Sequence, residues 1–426
     1  MSSRSFGFET RMLHAGQIPE PFVGARATPI YQTTSYVFKD TDEAAHLFEL
    51  KQYGNIYSRI SNPTTAVFEE RVASLEGGTG AVATASGMAA EFGVVMTLCS
   101  PGDHIVASNQ LYGGTMTMFA HTLKKLCIDV TFVDPGNNEA WAQAVQPNTR
   151  LLFTETIGNP INSIADFDFL AQLGEAHKIP VVVDSTFATP YLCRPIEHGA
   201  TIVLHSATKF MGGHGTSIGG VVVDSGDFDF AHFPTIADPS PSYHGMRFFD
   251  TFGHYAFLMK LRAETIRDTG ACISPMNAFN LLQGLETLSL RMDRHVANAV
   301  AVATFLEGHE AVERVHYAGL PSHPHYARAQ KYLPKGAGAV LSFELKSSEP
   351  RAAGKRFIES LNLFSHLANV GDAKSLVIHP ASTTHQQMSD EELKAGRITP
   401  GMIRLSVGLE TTDDLLWDLD QALGVV

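Results

Sequence analysis

The sequence predicts an α/β protein: a large layered domain around a mostly parallel seven-stranded sheet, followed by a smaller α+β C-terminal domain. Three observations predict it. Between residues 80 and 225, short β-rich runs alternate with helical stretches, the pattern that lays a parallel sheet between layers of helices. Several of those runs are apolar on both faces, as strands covered on both sides must be. The chain has 426 residues, 44% hydrophobic and 18% charged, which is globular composition at a length that divides into two or three domains.

Taken in order, residues 1–60 show no sustained helical period and read as an extended arm with little core of its own. Met1 to Gly16 show no apolar core followed by a cleavage site, so no signal peptide is expected there. The large domain is assigned to 61–265. Its first helix starts at Asn62 as N-cap with Pro63 behind it, carries Phe68, Val72 and Leu75 on one face, and stops at Gly77-Gly78. Strands are predicted at 81–85, 104–108, 130–133, 151–155, 181–184, 202–205 and 220–223, with helices over 88–98, 114–124 and 167–177. Residues 225–270, rich in aromatics, His and Asp, form an excursion at the domain border. The C-terminal domain, 266–426, opens with a helical pattern over 277–295 and includes strands at 339–345 and 403–407.

The bulk chemistry narrows the function. A net charge of −13 without any basic stripe gives little support to a nucleic-acid or anionic-membrane partner. No apolar run reaches the roughly 18 residues of a membrane span. The four cysteines, Cys99, Cys127, Cys193 and Cys272, form no C-x-x-C pair and read as free thiols in a reducing, cytoplasmic setting. The 19 histidines include His323-Pro324-His325 but no H-E-x-x-H helix, so no metal centre is expected. Gly77-Gly78-Thr79-Gly80 precedes a strand rather than following one, and no nucleotide-loop motif is present.

One constellation carries chemistry. Asp184 ends an apolar strand, and Lys209, in Ser206-Ala207-Thr208-Lys209, follows the next one, so both should emerge at the ligand-binding edge of the sheet. A carboxylate and an amine there suit pyridoxal 5′-phosphate (PLP): the carboxylate keeps the ring nitrogen protonated, and the lysine forms a Schiff base and then shuttles protons. The plainer reading is a loop-capping Asp and a solvated Lys. Ser86-Gly87-Met88 lies between a strand and a helix, where backbone N–H groups can meet a phosphate, with Ser206 and Thr208 adding hydroxyls. Tyr112 follows another strand and could stack on the cofactor ring, or pack as a turn residue. Arg404 sits in the apolar strand Met402-Ile403-Arg404-Leu405, where it needs an anion, either a substrate carboxylate or a structural partner.

These motifs, together with Tyr57-Ser58-Arg59-Ile60-Ser61-Asn62-Pro63-Thr64, Tyr112-Gly113-Gly114-Thr115, Glu155-Thr156-Ile157-Gly158-Asn159-Pro160 and Asp184-Ser185-Thr186, make the chain resemble the Cys/Met-metabolism family of PLP enzymes. That family includes cystathionine γ-synthase, the γ- and β-lyases and the homoserine-ester sulfhydrylases. The resemblance implies the aminotransferase-like fold, PLP fold type I, and a homotetramer built from two catalytic dimers. It implies that Tyr57 and Arg59 reach the PLP phosphate of a neighbouring subunit and that Thr186 belongs to the cofactor site. Asn159 is expected at the ring hydroxyl and the substrate, with Arg404 on the substrate α-carboxylate and Ser375 nearby. Tyr112 is implied in proton transfer at the substrate nitrogen or leaving group.

Within the family, the stretch from Asn369 to His385 and the additional residues around 225–255 resemble the sulfhydrylase branch. Lys374 stands where the γ-synthases and γ-lyases usually carry Glu, and Gly114 where methionine γ-lyases usually carry Cys. The implied substrates are O-acetyl-L-homoserine and sulfide or a thiol, with a γ-synthase, a γ-lyase or an O-succinylhomoserine sulfhydrylase as alternatives.

Overall fold

The structure, a computed structural model, describes residues 4–380, Thr383 and 398–426. Seven strands form the large sheet: β1 (Gly80–Thr84), β2 (His104–Ser108), β3 (Asp129–Val133), β4 (Thr149–Glu155), β5 (Val181–Asp184), β6 (Ile202–His205) and β7 (Gly220–Asp224). Their order is β1-β7-β6-β5-β4-β2-β3. Strands β2 to β6 pair in parallel, whereas β7 is antiparallel to both of its neighbours, β1 and β6. The sheet is therefore mostly parallel, and its one reversal places the loop between β6 and β7 at the C-terminal edge of the parallel strands.

Alternation of side chains across the pleat explains why these strands read as unbroken apolar runs. Val106, Leu152, Val183, Val203 and Val221 face one side, packed with the helices Pro63–Glu76 and Phe167–His177. Ile105, Leu151, Val182, Leu204 and Val222 face the other, under the helix Gly87–Leu98. Each such side chain contributes about 1.5–3 kcal/mol when fully buried. The sheet is thus rigid enough to hold loops at its edge. The first helix begins as the sequence predicts: Asn62 Oδ1 accepts the Thr64 N–H at 3.0 Å, and Gly77, at φ 82°, turns the chain into β1.

Three stretches differ from expectation. The helix expected over 114–124 is α-helical only for Gly113–Thr117, then widens over Met118–Thr122 and tightens over Leu123–Leu126, with Met118, Phe119 and Leu123 all buried. The pattern over 277–295 is two helices, Pro275–Leu285 and Leu288–Gly308. Arg291 spans the break, donating to Gly284 O at 2.6 Å and to the carbonyls of Phe210 and Met211, so the junction grips the segment after Lys209. The N-terminal arm holds two short helices, Phe8–His14 and Thr41–Phe48, the second capped by Asp40 Oδ1 on the Glu43 N–H at 2.8 Å.

A second sheet follows, with β8 (Val312–His316), β9 (Val340–Leu345), β10 (Ser365–His366), β11 (Leu376–Ile378) and β12 (Met402–Ser406) in the order β10-β11-β12-β9-β8. Arg404 thus lies on the middle strand. All four cysteines are free thiols, and no described helix is long and apolar enough to cross a membrane.

Candidate active site

Strands β4, β5 and β6 end side by side, with Glu155 paired in register to Asp184 and Asp184 to Leu204. Loops leaving this edge enclose a cavity of about 270 Å³. Eleven sequence-predicted residues line it: Ser86, Gly87 and Met88 before the helix; Tyr112 after β2; Asn159 after β4; Asp184 and Thr186 after β5; Ser206, Thr208 and Lys209 after β6; and Arg404 from the second sheet.

Lys209 Nζ donates to Asn369 Oδ1 at 2.5 Å. Burial, with the nearby Arg404 charge in support, lowers its pKa to about 8, so an appreciable share of the amine is free near neutral pH. Close approach of the 369–371 loop requires Gly371, at φ 74°, where a Cβ would meet Phe210 N at 2.6 Å. Asp184 Oδ1 accepts the Thr186 N–H at 2.8 Å and the Thr186 hydroxyl at 2.5 Å. At the opposite wall, the helix Gly87–Leu98 points its N-terminus into the cavity, with Ser86 Oγ capping the Ala89 N–H at 3.1 Å. The first N–H groups of a helix have no intrahelical acceptor and attract anions. Gly87 is needed here because a Cβ would lie 2.6 Å from Ser206 Cβ.

Arg404 is 5% exposed, and Asn159 Oδ1 accepts from its Nη1 at 3.3 Å. Among the described residues no carboxylate forms an ion pair with it, and burial lowers its pKa to about 10. A guanidinium so placed calls for an incoming anion. Tyr112 keeps 48% exposure over the mouth of the cavity, and its backbone N–H donates to Glu155 Oε1 at 2.6 Å.

Three predicted residues are not in this cavity. Tyr57 and Arg59 line a separate surface pocket with Tyr36, Phe38 and Phe48, where Arg59 lies 5.5 Å from the Tyr57 ring centroid and donates to the Arg267 carbonyl. Ser375 is fully buried, its hydroxyl donating to Glu410 Oε2 at 2.9 Å and accepting from Gly408 N–H at 2.8 Å. Of the subgroup stretch beginning at Asn369, residues 381–382 and 384–385 lie outside the described residues.

Sequence reasoning missed Glu91, Glu155 and Asn369, all of which line the cavity. Glu91 had a signal: it is the only charged residue in the apolar helix segment GMAAEFGVVMTL. Burial and the neighbouring carboxyls hold both glutamates well above the ordinary carboxylic-acid range, and burial raises Asp184 as well. Among the described residues no group of three or more His, Cys, Asp or Glu is arranged to hold a metal.

The donor set fits PLP. A helix N-terminus and hydroxyls suit a phosphate, a Cβ-free approach at Gly87 leaves room for it, a buried carboxylate suits a ring N–H, and a lysine with lowered pKa suits an aldehyde. Fold and site together define a PLP-dependent enzyme of fold type I. The sequence profile of the Cys/Met metabolism PLP-dependent enzymes matches residues 9–424, and the chain belongs to that family. It is 50% identical to the O-acetyl-L-homoserine sulfhydrylase of Leptospira meyeri, over 99% of this chain and 97% of that one. It is 49% identical to the homocysteine synthase of Schizosaccharomyces pombe over 100% of both chains. Among solved structures, one described as an O-acetylhomoserine (thiol)-lyase from Campylobacter jejuni, holding a pyridoxyl-lysine 5′-monophosphate, superposes with a TM-score of 0.95 at 40% identity, covering 98% of this chain and 100% of that one.

Proposed function

We propose that the chain catalyses γ-replacement, converting O-acetyl-L-homoserine and sulfide into L-homocysteine and acetate. At Cγ the C–O bond to acetate breaks and a C–S bond to hydrosulfide forms. The observation that carries this reading is the buried, unpaired Arg404 facing Lys209 and Asp184 across one small cavity, in a chain about half identical over its length to enzymes named for this reaction.

When bound, PLP would supply an aldehyde able to condense with an amine and a conjugated ring able to take up electrons. The chain's own residues do the rest. Asp184 would hold the ring nitrogen, and the helix start at Gly87 and Met88, with Ser206 and Thr208, would hold the phosphate. Arg404 clamps the α-carboxylate with Asn159 beside it, which fixes the Cα–H bond toward Lys209. Lys209, with its lowered pKa, removes that proton and returns it later. Tyr112, at the mouth, covers the ring and moves a proton at the substrate nitrogen or leaving group. Ile157 and Phe187 make the apolar wall that keeps water from the reacting atoms.

The assembly is a homotetramer of two catalytic dimers, in which Tyr57 and Arg59 complete a neighbour's phosphate site. Their position outside their own cavity supports this, as do Phe22, Val23, Val37 and Tyr53, each more than four-fifths exposed on the arm. Four free thiols fit a reducing cytoplasm. The test is a matrix on the purified protein: O-acetyl- and O-succinyl-homoserine, each with sulfide, methanethiol and cysteine. Fastest turnover is expected for the acetyl ester with sulfide. A preference for cysteine, or product formed without an added thiol, would assign the chain to the γ-synthases or the γ-lyases instead.

A further inference from the structure

Two carboxyls in the cavity, Glu91 and Glu155, have no task in the chemistry above; Glu155 accepts the Tyr112 backbone N–H, which leaves Glu91 to be explained. It lies one helical turn after Gly87, so its side chain shares the face that meets the cofactor wall, and it is 2% exposed. Oε1 accepts the Thr115 hydroxyl at 3.0 Å. Oε2 is buried and meets no N–H or hydroxyl donor. Glu91 and Asp184 line the same cavity, and each carboxyl acts on the proton affinity of the other as a neighbour and hydrogen-bonding partner. Two buried carboxyls hold such a contact only when one of them carries a proton. Asp184 already accepts two donors from Thr186, which favour its charged form, whereas Glu91 has only Thr115. The proton therefore belongs on Glu91. The other groups around the pair are buried Glu155 from β4, itself held neutral by burial and by the neighbouring carboxyls of Asp184 and Glu91, His205 at the end of β6, which favours charge on Asp184, and Lys209 and Arg404, which line the same cavity.

We propose that Glu91 is a positioning residue that stays protonated and donates its O–H to Asp184, fixing the carboxylate that faces the ring nitrogen of bound PLP and weakening it as a base. The inference rests on the PLP reading and extends it. A carboxylate accepting three donors competes less well for the proton it shares with a pyridine nitrogen, so that proton rests on the ring, the form in which the ring accepts electrons.

The test uses holoenzyme carrying ¹⁵N-labelled PLP, with E91Q and E91M. E91Q keeps a donor in the same place and E91M removes it at similar volume. In E91M the ring-nitrogen resonance should move toward the neutral-pyridine position and cofactor release should quicken about tenfold, while in E91Q both should stay close to wild type, release within about twofold. A charged Glu91 predicts instead that both variants shift together, and a merely structural one that neither shifts; either result overturns the proposal. E91Q should also lose one protonated-carboxyl band from the infrared difference spectrum against wild type, and retention of every such band overturns the proposal even where E91M fails to fold. Wild-type protein that binds no PLP would instead overturn the reading beneath it.

Discussion

The two regions proposed to hold the cofactor, the sheet edge and the N-terminal arm, are built in different ways. At the sheet end, Asp184, Lys209 and the start of the helix Gly87–Leu98 follow strands of one sheet, are buried or half-buried, and are each tied by hydrogen bonds within the chain. On the N-terminal arm, Tyr57 and Arg59 sit among exposed aromatics in a pocket that does not touch that cavity. The contrast teaches a division of labour. Groups that set proton affinities must be desolvated and rigid, which a parallel sheet provides within one chain. A phosphate grip needs only charge and reach, so in the proposed assembly a second copy lends it.

The sheet end breaks first. Lys209→Ala should lower turnover by about four orders of magnitude or more and abolish the visible absorption of lysine-bound cofactor. Arg404→Ala should keep that absorption but lower kcat/KM about 10²–10³-fold, because the substrate carboxylate is left in a dry cavity without its partner. The arm sharpens the comparison: Arg59→Ala should weaken PLP retention about tenfold. Mixing Arg59→Ala with Lys209→Ala subunits should recover activity if the grip is lent across the dimer, since one site of each hybrid then has neither defect. No recovery would place Arg59 in the service of its own chain.

The lowered Lys209 pKa predicts a pH dependence with a definite sign. The free amine is the form that captures an aldehyde, so PLP uptake by the apoprotein should rise with pH, about tenfold between pH 7 and 9, and level off above a midpoint of about 8. A lysine with its ordinary pKa would still be climbing steeply at pH 9. The smallest effect concerns Gly114, where a Cβ would sit 2.5 Å from the Tyr112 ring. Gly114→Ala should displace that ring and lower kcat a few-fold, leaving cofactor affinity as it was, measured by titration of the apoprotein.

The sheet was legible because its signal is local. Doubly buried strands announce themselves as apolar runs, and the seven expected ones fall within two residues of those observed. Asp184 and Lys209 were legible for the same reason, as polar residues at the ends of such runs. What escaped depends on partners distant in the chain. Asn369 meets Lys209 across 160 positions, and Glu155 meets the backbone of Tyr112 across 43. The division of 277–295 into two helices also escaped, because both halves bury apolar faces and the periodicity carries across Thr287; only Arg291 reaching the carbonyls after Lys209 marks the junction. The two arm helices are too short for a period to show.

The most direct measurement is reductive trapping of PLP on the purified protein with borohydride, followed by peptide mapping. A single pyridoxyl group is expected, on the peptide containing Lys209. A pyridoxyl group on another lysine, such as Lys260, or none at all, would contradict it.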